Sequence, residues 1–309
     1  MTLAFVFPGQ GSQSIAMQSE LAGTFPEVEA TYAQASDELG YDLWKLAQEG
    51  PKERLDETVV TQPLMMTAGM ASWRVWHKAG GETPAHLAGH SLGEYTALVC
   101  AGVIEFPEAI RVIGRRAELM QQAVPASEGA MAAILGLDDE TVLSVCRDAA
   151  QGQVVQAVNF NTPGQVVIAG ARAAVERAVE LATKAGARRA LLLNVSVPAH
   201  CDLMKPAADE LAEVLAAARL VAPSIPVVSN ADVVCYETVE QIRDGLRRQL
   251  YSPVRWAETI GFMIAHGTTK IVECGPGKVL AGLNRRIDRS VSSTCVDSPA
   301  ALDTALSKD

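Results

Sequence analysis

Three residues of this chain have types and settings that could do chemistry together: a serine between glycines, a histidine at the end of a strand, and an arginine in an apolar helical segment. Gly89-His90-Ser91-Leu92-Gly93 fits G-x-S-x-G, a pattern that sets a serine on a tight strand-to-helix turn with its hydroxyl projecting. Placed there, Ser91 can accept an acyl group and pass it to water, as in a hydrolase, or to a second nucleophile, as in a transferase. The pattern alone leaves both open. Either reaction needs a base, a group orienting that base, and donors for the oxyanion.

The chain has five histidines. His77 and His266 lie near helix ends, where a cation favours the helix dipole and a surface cap is expected. His86 sits in the strand before the elbow and reads as a packed residue. His90 adjoins Ser91, but neighbours on an extended segment point to opposite sides, so it is badly placed to take the serine proton. His200, in SVPAHCDLM, follows Pro198 where a strand gives way to a helix. Loops at strand ends are where open α/β sheets build sites, which makes His200 the candidate base. Gln10, in VFPGQGSQ, also follows a strand. Gly9-Gln10-Gly11 resembles the start of a dinucleotide fingerprint, with Glu29 about twenty residues on, but Ser14 replaces the third glycine and Glu29 falls in a helical pattern. The alternative is a loop that brings a backbone N–H to the serine as an oxyanion donor, with Leu92 supplying the second. Arg116, in VIGRRAELMQQAVP, reads either as a surface arginine or as a bidentate clamp for a carboxylate.

Positioning these residues requires strands that end in loops on one edge of a sheet. Leu3 to Phe7 is an apolar run ended by Pro8-Gly9, so it predicts a buried strand. Helical patterns follow over Gln34 to Ala47 and Gln62 to Ala79. Ala85 to Ala88 then makes a short strand, Ser91 the turn, and Leu92 to Ala101 a helix stopped by Gly102. Strands alternating with helices predict an α/β fold with a mostly parallel sheet covered on both faces. The middle third differs. Strand-like Ala130 to Leu137, helical Asp139 to Ala150, strand-like Val154 to Asn159 and Gln165 to Ala169, helical Ala171 to Ala185 and strand-like Arg188 to Val195 spell β-α-β-β-α-β, the ferredoxin-like unit. The expected organisation is a core of residues 1–126 and 198–309 with a small subdomain of residues 127–197 inserted. In the last third a helix (Leu203 to Ala218), a strand (Ile225 to Asn230), helices through Gln249 and Ala265, a final strand (Lys270 to Cys274) and a last helix are expected.

Bulk properties narrow the classes. The chain has 309 residues, 49% of them hydrophobic, with few aromatics, as expected for a soluble α/β enzyme. A formal charge of -10 argues against nonspecific nucleic-acid binding. No run approaches the length of a membrane span, and the start lacks the basic residues of a signal peptide. The six cysteines show no C-x-x-C or metal spacing, so they read as reduced thiols in a cytoplasmic protein.

The segments VFPGQGSQ, GHSLGEYTALVCAGV, VNFNTPGQVVIAG, SVPAHCDLMKPA, RRQLYSPVRW and ECGPGKVL, in this order over nearly the whole chain, resemble the malonyl-CoA:acyl carrier protein transacylase family of bacterial fatty acid synthesis. They are also similar to the acyltransferase domains of polyketide synthases. The resemblance implies an α/β-hydrolase-like core with a ferredoxin-like insertion, Ser91 as nucleophile and His200 as general base. It implies Gln249 as the residue whose main-chain carbonyl orients that base, Gln10 and Leu92 as oxyanion-hole donors, and Arg116 as partner of the malonyl carboxylate. Asn159, Asn161 and Gln165 fall in a family motif beside the cleft and are expected on the substrate side. Val197-Pro198-Ala199-His200 is similar to the fatty-acid enzymes rather than to the methylmalonyl-type pattern. The implied substrates are malonyl-CoA and holo acyl carrier protein, with no metal or redox cofactor and no membrane or nucleic-acid partner. Lys278 and Arg285-Arg286 are candidates for receiving the acidic carrier. Two rivals remain: a serine esterase or thioesterase, which predicts an acidic residue orienting His200, and a carrier-binding scaffold without chemistry.

Overall fold

The computed structural model describes residues 2–125, 127–195 and 197–307; the expected boundary residue Ala126 lies outside them, as do Met1, Ser196, Lys308 and Asp309. Nine strands among the described residues form two sheets. In chain order they are β1 (Leu3–Phe7), β2 (His86–Gly89), β3 (Gly129–Leu135), β4 (Val155–Thr162), β5 (Gln165–Ala171), β6 (Arg189–Leu192), β7 (Val227–Val228), β8 (Lys270–Cys274) and β9 (Ser292–Val296). The larger sheet has the order β7-β2-β1-β8-β9, and each pair in it is parallel. Its central strand β1, LAFVF, is an unbroken apolar run with all five residues buried, as expected where helices cover both faces. Phe7 pairs with Gly89, so β1 and β2 end at the same level. The Gln10 loop and the Ser91 turn therefore emerge side by side.

The smaller sheet, β4-β5-β3-β6, is antiparallel in every pairing. Strand alternation gives it two different faces. Ala132, Ile134, Val166 and Ile168 pack under its own helices, Asp139–Ala150 and Arg172–Lys184. Met131, Val158, Val167 and Ala169 face the other way, onto Cys201 and Ala199 beside His200. This sheet is thus the roof of whatever lies around His200. It is tied down by Val254, whose N–H donates to Val158 O (2.8 Å) while its carbonyl accepts from Phe160 N (2.9 Å). Pairing of Phe160 with Val166 and of Thr162 with Gln165 carries β4 on to Thr162, beyond the Asn159 end read from sequence.

Three other expectations need correction. The helix expected over Gln34 to Ala47 is two helices, Glu27–Leu39 and Leu43–Glu49, broken where Gly40 turns left-handed (φ 74) and the Asp42 side chain accepts from Lys45 N. The strand expected over Ile225 to Asn230 shrinks to β7. Lys270 to Cys274 is not the final strand. Helix Val279–Ile287 is followed by β9 and by helix Pro299–Leu306, which the Ser298 side chain caps. The polar Ser292-Ser293-Thr294 stretch hid β9, because a strand on the sheet edge needs little apolar surface. Among the described residues, no helix is long and apolar enough to cross a membrane.

Candidate active site

Ser91 occupies the turn between β2 and helix Gly93–Cys100 with φ 54. A left-handed conformation at a non-glycine residue costs on the order of 1–3 kcal/mol and must be imposed by its surroundings. Flanking glycines make the turn sterically feasible. A β-carbon on Gly89 would lie 1.9 Å from the Gly93 carbonyl carbon, and one on Gly93 would lie 2.2 Å from Phe7 O. Asn230, just after β7, holds the turn: its Oδ1 accepts from Ser91 N (2.7 Å) and its Nδ2 donates to Gly89 O (2.6 Å). Glutamine Nε2 of Gln249 donates to the Ser91 carbonyl (3.0 Å).

The structure brings His200 to the serine. Nε2 lies 2.7 Å from Ser91 Oγ, and Nδ1 lies 2.8 Å from the main-chain oxygen of Gln249. A carbonyl oxygen can only accept, so Nδ1 carries the ring proton and Nε2 presents its lone pair to the serine hydroxyl. His200 is 3% exposed. Burial, and next the field of Arg116, push its pKa down to about 3, while the Gln249 carbonyl pulls it back up. The resting imidazole is therefore neutral and able to take a proton. Among the described residues no acidic side chain orients it, so the feature expected of an esterase triad is not seen there. His90 is turned away, as alternation predicted: Nε2 donates to Asn161 Oδ1 (2.8 Å) and its ring tilts against Trp256 at 5.5 Å.

Arg116 is buried, at 1% exposure, which overturns the reading of it as a surface arginine. In helix Phe106–Ala123 it falls in phase with buried Ala109, Ile113 and Met120, so the apolar stripe carries it inward. Its Nη1 donates to Gln62 Oε1 (2.6 Å), and its Nη2 donates to Gln249 Oε1 (3.0 Å) and lies 3.4 Å from Ser91 Oγ. The guanidinium also sits over the Tyr95 ring at 5.3 Å. Both strong acceptors are neutral amides, and no carboxylate comes within ion-pair distance of Arg116 among the described residues. Its Nε is buried without a hydrogen-bond partner, and its charge is left over, beside the serine.

These groups line a cleft of about 130 Å³, together with Gln10, Leu92, Met120, Asn159 and, from the small sheet and its exit, Met131, Val167, Leu193 and Val195. The Ser91 amide is taken by Asn230, whereas the Gln10 and Leu92 amides bond no protein acceptor among the described residues. The two residues carrying these N–H donors line the cleft from the two loops that β1 and β2 place side by side. Gln10, Ser91, Leu92, Arg116, Asn159 and His200 are brought together there, with Gln249 behind them. Two expected substrate-side residues are not in the wall. Asn161 spends its side-chain carbonyl on His90, and Gln165 accepts from Arg286 (2.9 Å) at the start of β5. Simple alternation would keep both on the cleft side, since Asn161 is two residues from Asn159 and Gln165 two from Val167. Instead the register of β4 shifts between Ala157 and Asn159 and again between Phe160 and Thr162, and Gln165 is the first residue of β5, beside the Pro163-Gly164 turn.

Sequence reasoning missed Gln62, Glu94 and Asn230. Each is an amide or carboxyl side chain within or ending a largely apolar stretch, VVTQPLMM, GEYTALVC and VVSN, and that setting was the available signal. Glu94 is 2% exposed; burial raises its carboxyl to about 7, while donors from Gln249 and Asn230 and the nearby Arg116 charge lower it. Glu29, needed for a dinucleotide site, lies exposed on helix Glu27–Leu39. No group of three or more His, Cys, Asp or Glu suited to a metal occurs among the described residues.

Residues 4–296 match the acyl transferase domain family. The chain is 55% identical over 305 residues to the malonyl CoA-acyl carrier protein transacylase of Salmonella typhimurium, covering 99% of each. It is also similar to the crystal structure of an acyl carrier protein S-malonyltransferase from Vibrio cholerae (57% identity, TM-score 0.96, 98% and 99% of the chains covered). A third likeness is to a malonyl-transacylase solved in complex with a type II polyketide synthase acyl carrier protein (54% identity, TM-score 0.99, 100% of both chains).

Proposed function

The chain belongs to the acyl transferase family and, within it, to the malonyl CoA-acyl carrier protein transacylases, and we propose that Ser91, His200 and Arg116 carry out the transfer for which those relatives are named. It is an acyltransferase that moves the malonyl group from malonyl-CoA to the phosphopantetheine thiol of holo acyl carrier protein, supplying fatty acid synthesis. The observation that carries the residue assignment is the buried, unneutralised Arg116 guanidinium 3.4 Å from Ser91 Oγ. A free carboxylate is costly to desolvate unless paired, and a planar guanidinium can pair it with two parallel hydrogen bonds. An acyl group ending in carboxylate is therefore favoured over acetyl at this serine.

In the first half-reaction Ser91 Oγ attacks the malonyl thioester carbonyl as its proton passes to His200 Nε2. The tetrahedral oxyanion lies against the Gln10 and Leu92 N–H groups, and collapse expels the coenzyme A thiolate, which takes the proton from His200. In the second, the carrier's thiol gives its proton to His200 and attacks malonyl-Ser91, and collapse returns the serine its proton. Thioester becomes ester and then thioester again, with no change of oxidation state, so we assign the reaction no metal or redox cofactor. The main-chain carbonyl of Gln249 holds His200 in the tautomer this needs. Supporting a cytoplasmic location, all six cysteines are free thiols. The acidic carrier is expected to meet local basic residues, Lys278, Arg285 and Arg286 among them, despite the net charge of -10.

Mass spectrometry after mixing with malonyl-CoA tests the reading. A malonyl adduct on Ser91 that persists until holo carrier is added is expected. Rapid turnover without carrier would make the protein a hydrolase, and no adduct at all would remove Ser91 from the chemistry.

A further inference from the structure

The Ser91 peptide is gripped on both sides, by Asn230 Oδ1 at its N–H (2.7 Å) and by Gln249 Nε2 at its carbonyl (3.0 Å). Both gripping residues are anchored to a single atom. Glu94 Oε2 accepts from Gln249 Nε2 (2.7 Å) and from Asn230 N (3.1 Å). Gln249 in turn offers its main-chain oxygen to His200 Nδ1 and its Oε1 to Arg116 Nη2. The buried carboxylate of Glu94 therefore stands where the two supports of the Ser91 turn meet and, through Gln249, reaches one support each of the base and the cation, without lining the cleft itself. Amide and backbone N–H groups can only donate, so this junction needs an acceptor of the reach that glutamate provides.

We propose that Glu94 is a positioning residue, which through Gln249 and Asn230 holds the strained Ser91 turn and the His200 ring in reacting register. The proposal rests on the reading of Ser91 and His200 as nucleophile and base. Its effect is geometric. A carboxylate one methylene short no longer reaches both donors, and displacement of reacting groups by about 1 Å can cost ~10²-fold in rate. A glutamine keeps the reach but offers a neutral and weaker acceptor.

The test is the rate at which a neutral serine-directed sulfonyl fluoride labels Ser91, since that reagent needs the serine and its base but not carboxylate recognition. It is measured beside the downfield NMR resonance of the His200 Nδ1 proton and the melting temperature. E94D is expected to lose ~10²-fold in labelling rate and to shift or broaden that resonance, while E94Q loses less than about 10-fold and keeps it near its wild-type position. A folded E94D labelled at the wild-type rate with an unmoved resonance overturns the proposal. So does E94Q being as slow as E94D, because charge rather than reach would then be at work. Should E94D not fold, E94Q decides: a partial loss of rate with a small shift supports the proposal, and a wild-type rate with an unmoved resonance ends it. Failure of wild-type protein to be labelled at Ser91 would instead bring down the nucleophile assignment, and the Glu94 role with it.

Discussion

Two helices of this protein each turn one face to the cleft and the other to water, and adjacent residues on them have opposite fates. On helix Phe106–Ala123, Arg115 is half-buried and paired with Glu118 (2.9 Å), while Arg116 is buried among the amide oxygens of Gln62 and Gln249, the Tyr95 ring and the Ser91 hydroxyl. On helix Val239–Gln249, Arg248 grips both oxygens of Asp232 (2.7 and 2.6 Å) and also Asp244 (2.7 Å), while Gln249 points inward to the serine and the base. Hydrogen bonding to Asp232 holds the Arg248 guanidinium above its ordinary pKa, whereas burial pushes that of Arg116 below its own. A cation already given its counterions serves the fold. One whose hydrogen-bond partners are neutral, and whose Nε has none, keeps its charge for a ligand, at a desolvation cost the fold must bear.

The sharpest way to break this contrast is to remove the nucleophile and the cation separately. Ser91→Ala is expected to abolish both adduct and transfer while malonyl-CoA binding, followed by calorimetry, stays within a few-fold. Loss of binding along with transfer would mean that the serine, not the arginine, recognises the acyl group. Arg116→Ala is expected to cost malonyl transfer about 2–5 kcal/mol while acetyl transfer holds or rises, and Arg115→Ala should leave both nearly alone. If the preference for malonyl over acetyl survives in Arg116→Ala, the leftover charge has no bearing on the substrate.

A pH profile sharpens the comparison further. Because burial and Arg116 depress His200 to about 3, the neutral base persists far below the usual histidine range. The acid limb of kcat/KM that reports His200 should lie well under pH 6.5. Arg116→Ala removes one depressing charge, so with acetyl-CoA as substrate that limb should move up; an unmoved limb would show that the two groups are not coupled. Glu273, buried in β8 and pushed up to about 7 by desolvation, is the acidic counterpart of Arg116. A carboxyl whose folded pKa is raised from 4.5 to about 7 stabilises the fold below pH 4.5 and loses that contribution as pH rises to 7. Wild type should therefore lose up to about 3 kcal/mol relative to Glu273→Gln between pH 4 and 8 in urea unfolding; parallel curves would count against a buried charge. The smallest effect is expected at the surface. Arg248→Ala should cost no more than about 1 kcal/mol, and less in high salt; a larger loss would mean that Asp232 is left buried and unpaired.

Much of this was legible in the residues themselves, because the relevant signals are local. The elbow announces itself in five consecutive positions, since only glycine tolerates the approach of Phe7 O and of the helix backbone around Ser91. The split β-α-β-β-α-β rhythm emerges from alternation and from turns such as Thr162-Pro163-Gly164. Gly40 and Asp42 could have been read as a helix end and a new start; the apolar positions on either side obscured the break. Arg116 was ambiguous for a different reason. Its phase on the helix pointed inward, but an inward arginine is unfavourable unless something far away accepts its hydrogen bonds, and Gln62 and Gln249 stand 54 and 133 residues from it.

What the chain determined by itself, then, is the set of elements and the chemistry each can carry: a strained serine turn, a histidine at a strand end, an arginine on an apolar stripe. Tertiary structure brought to the base the Gln249 carbonyl that the family resemblance implied, and it alone decided that Asn161 and Gln165 leave the wall while Asn159 stays, and that one buried carboxylate gathers supports of serine and histidine. These are properties of distance between segments remote in sequence, Ser91 from Gln249 by 158 residues and Glu94 from Asn230 by 136. A hydrogen bond acts over about 3 Å, and no local pattern encodes which distant donor will arrive within it.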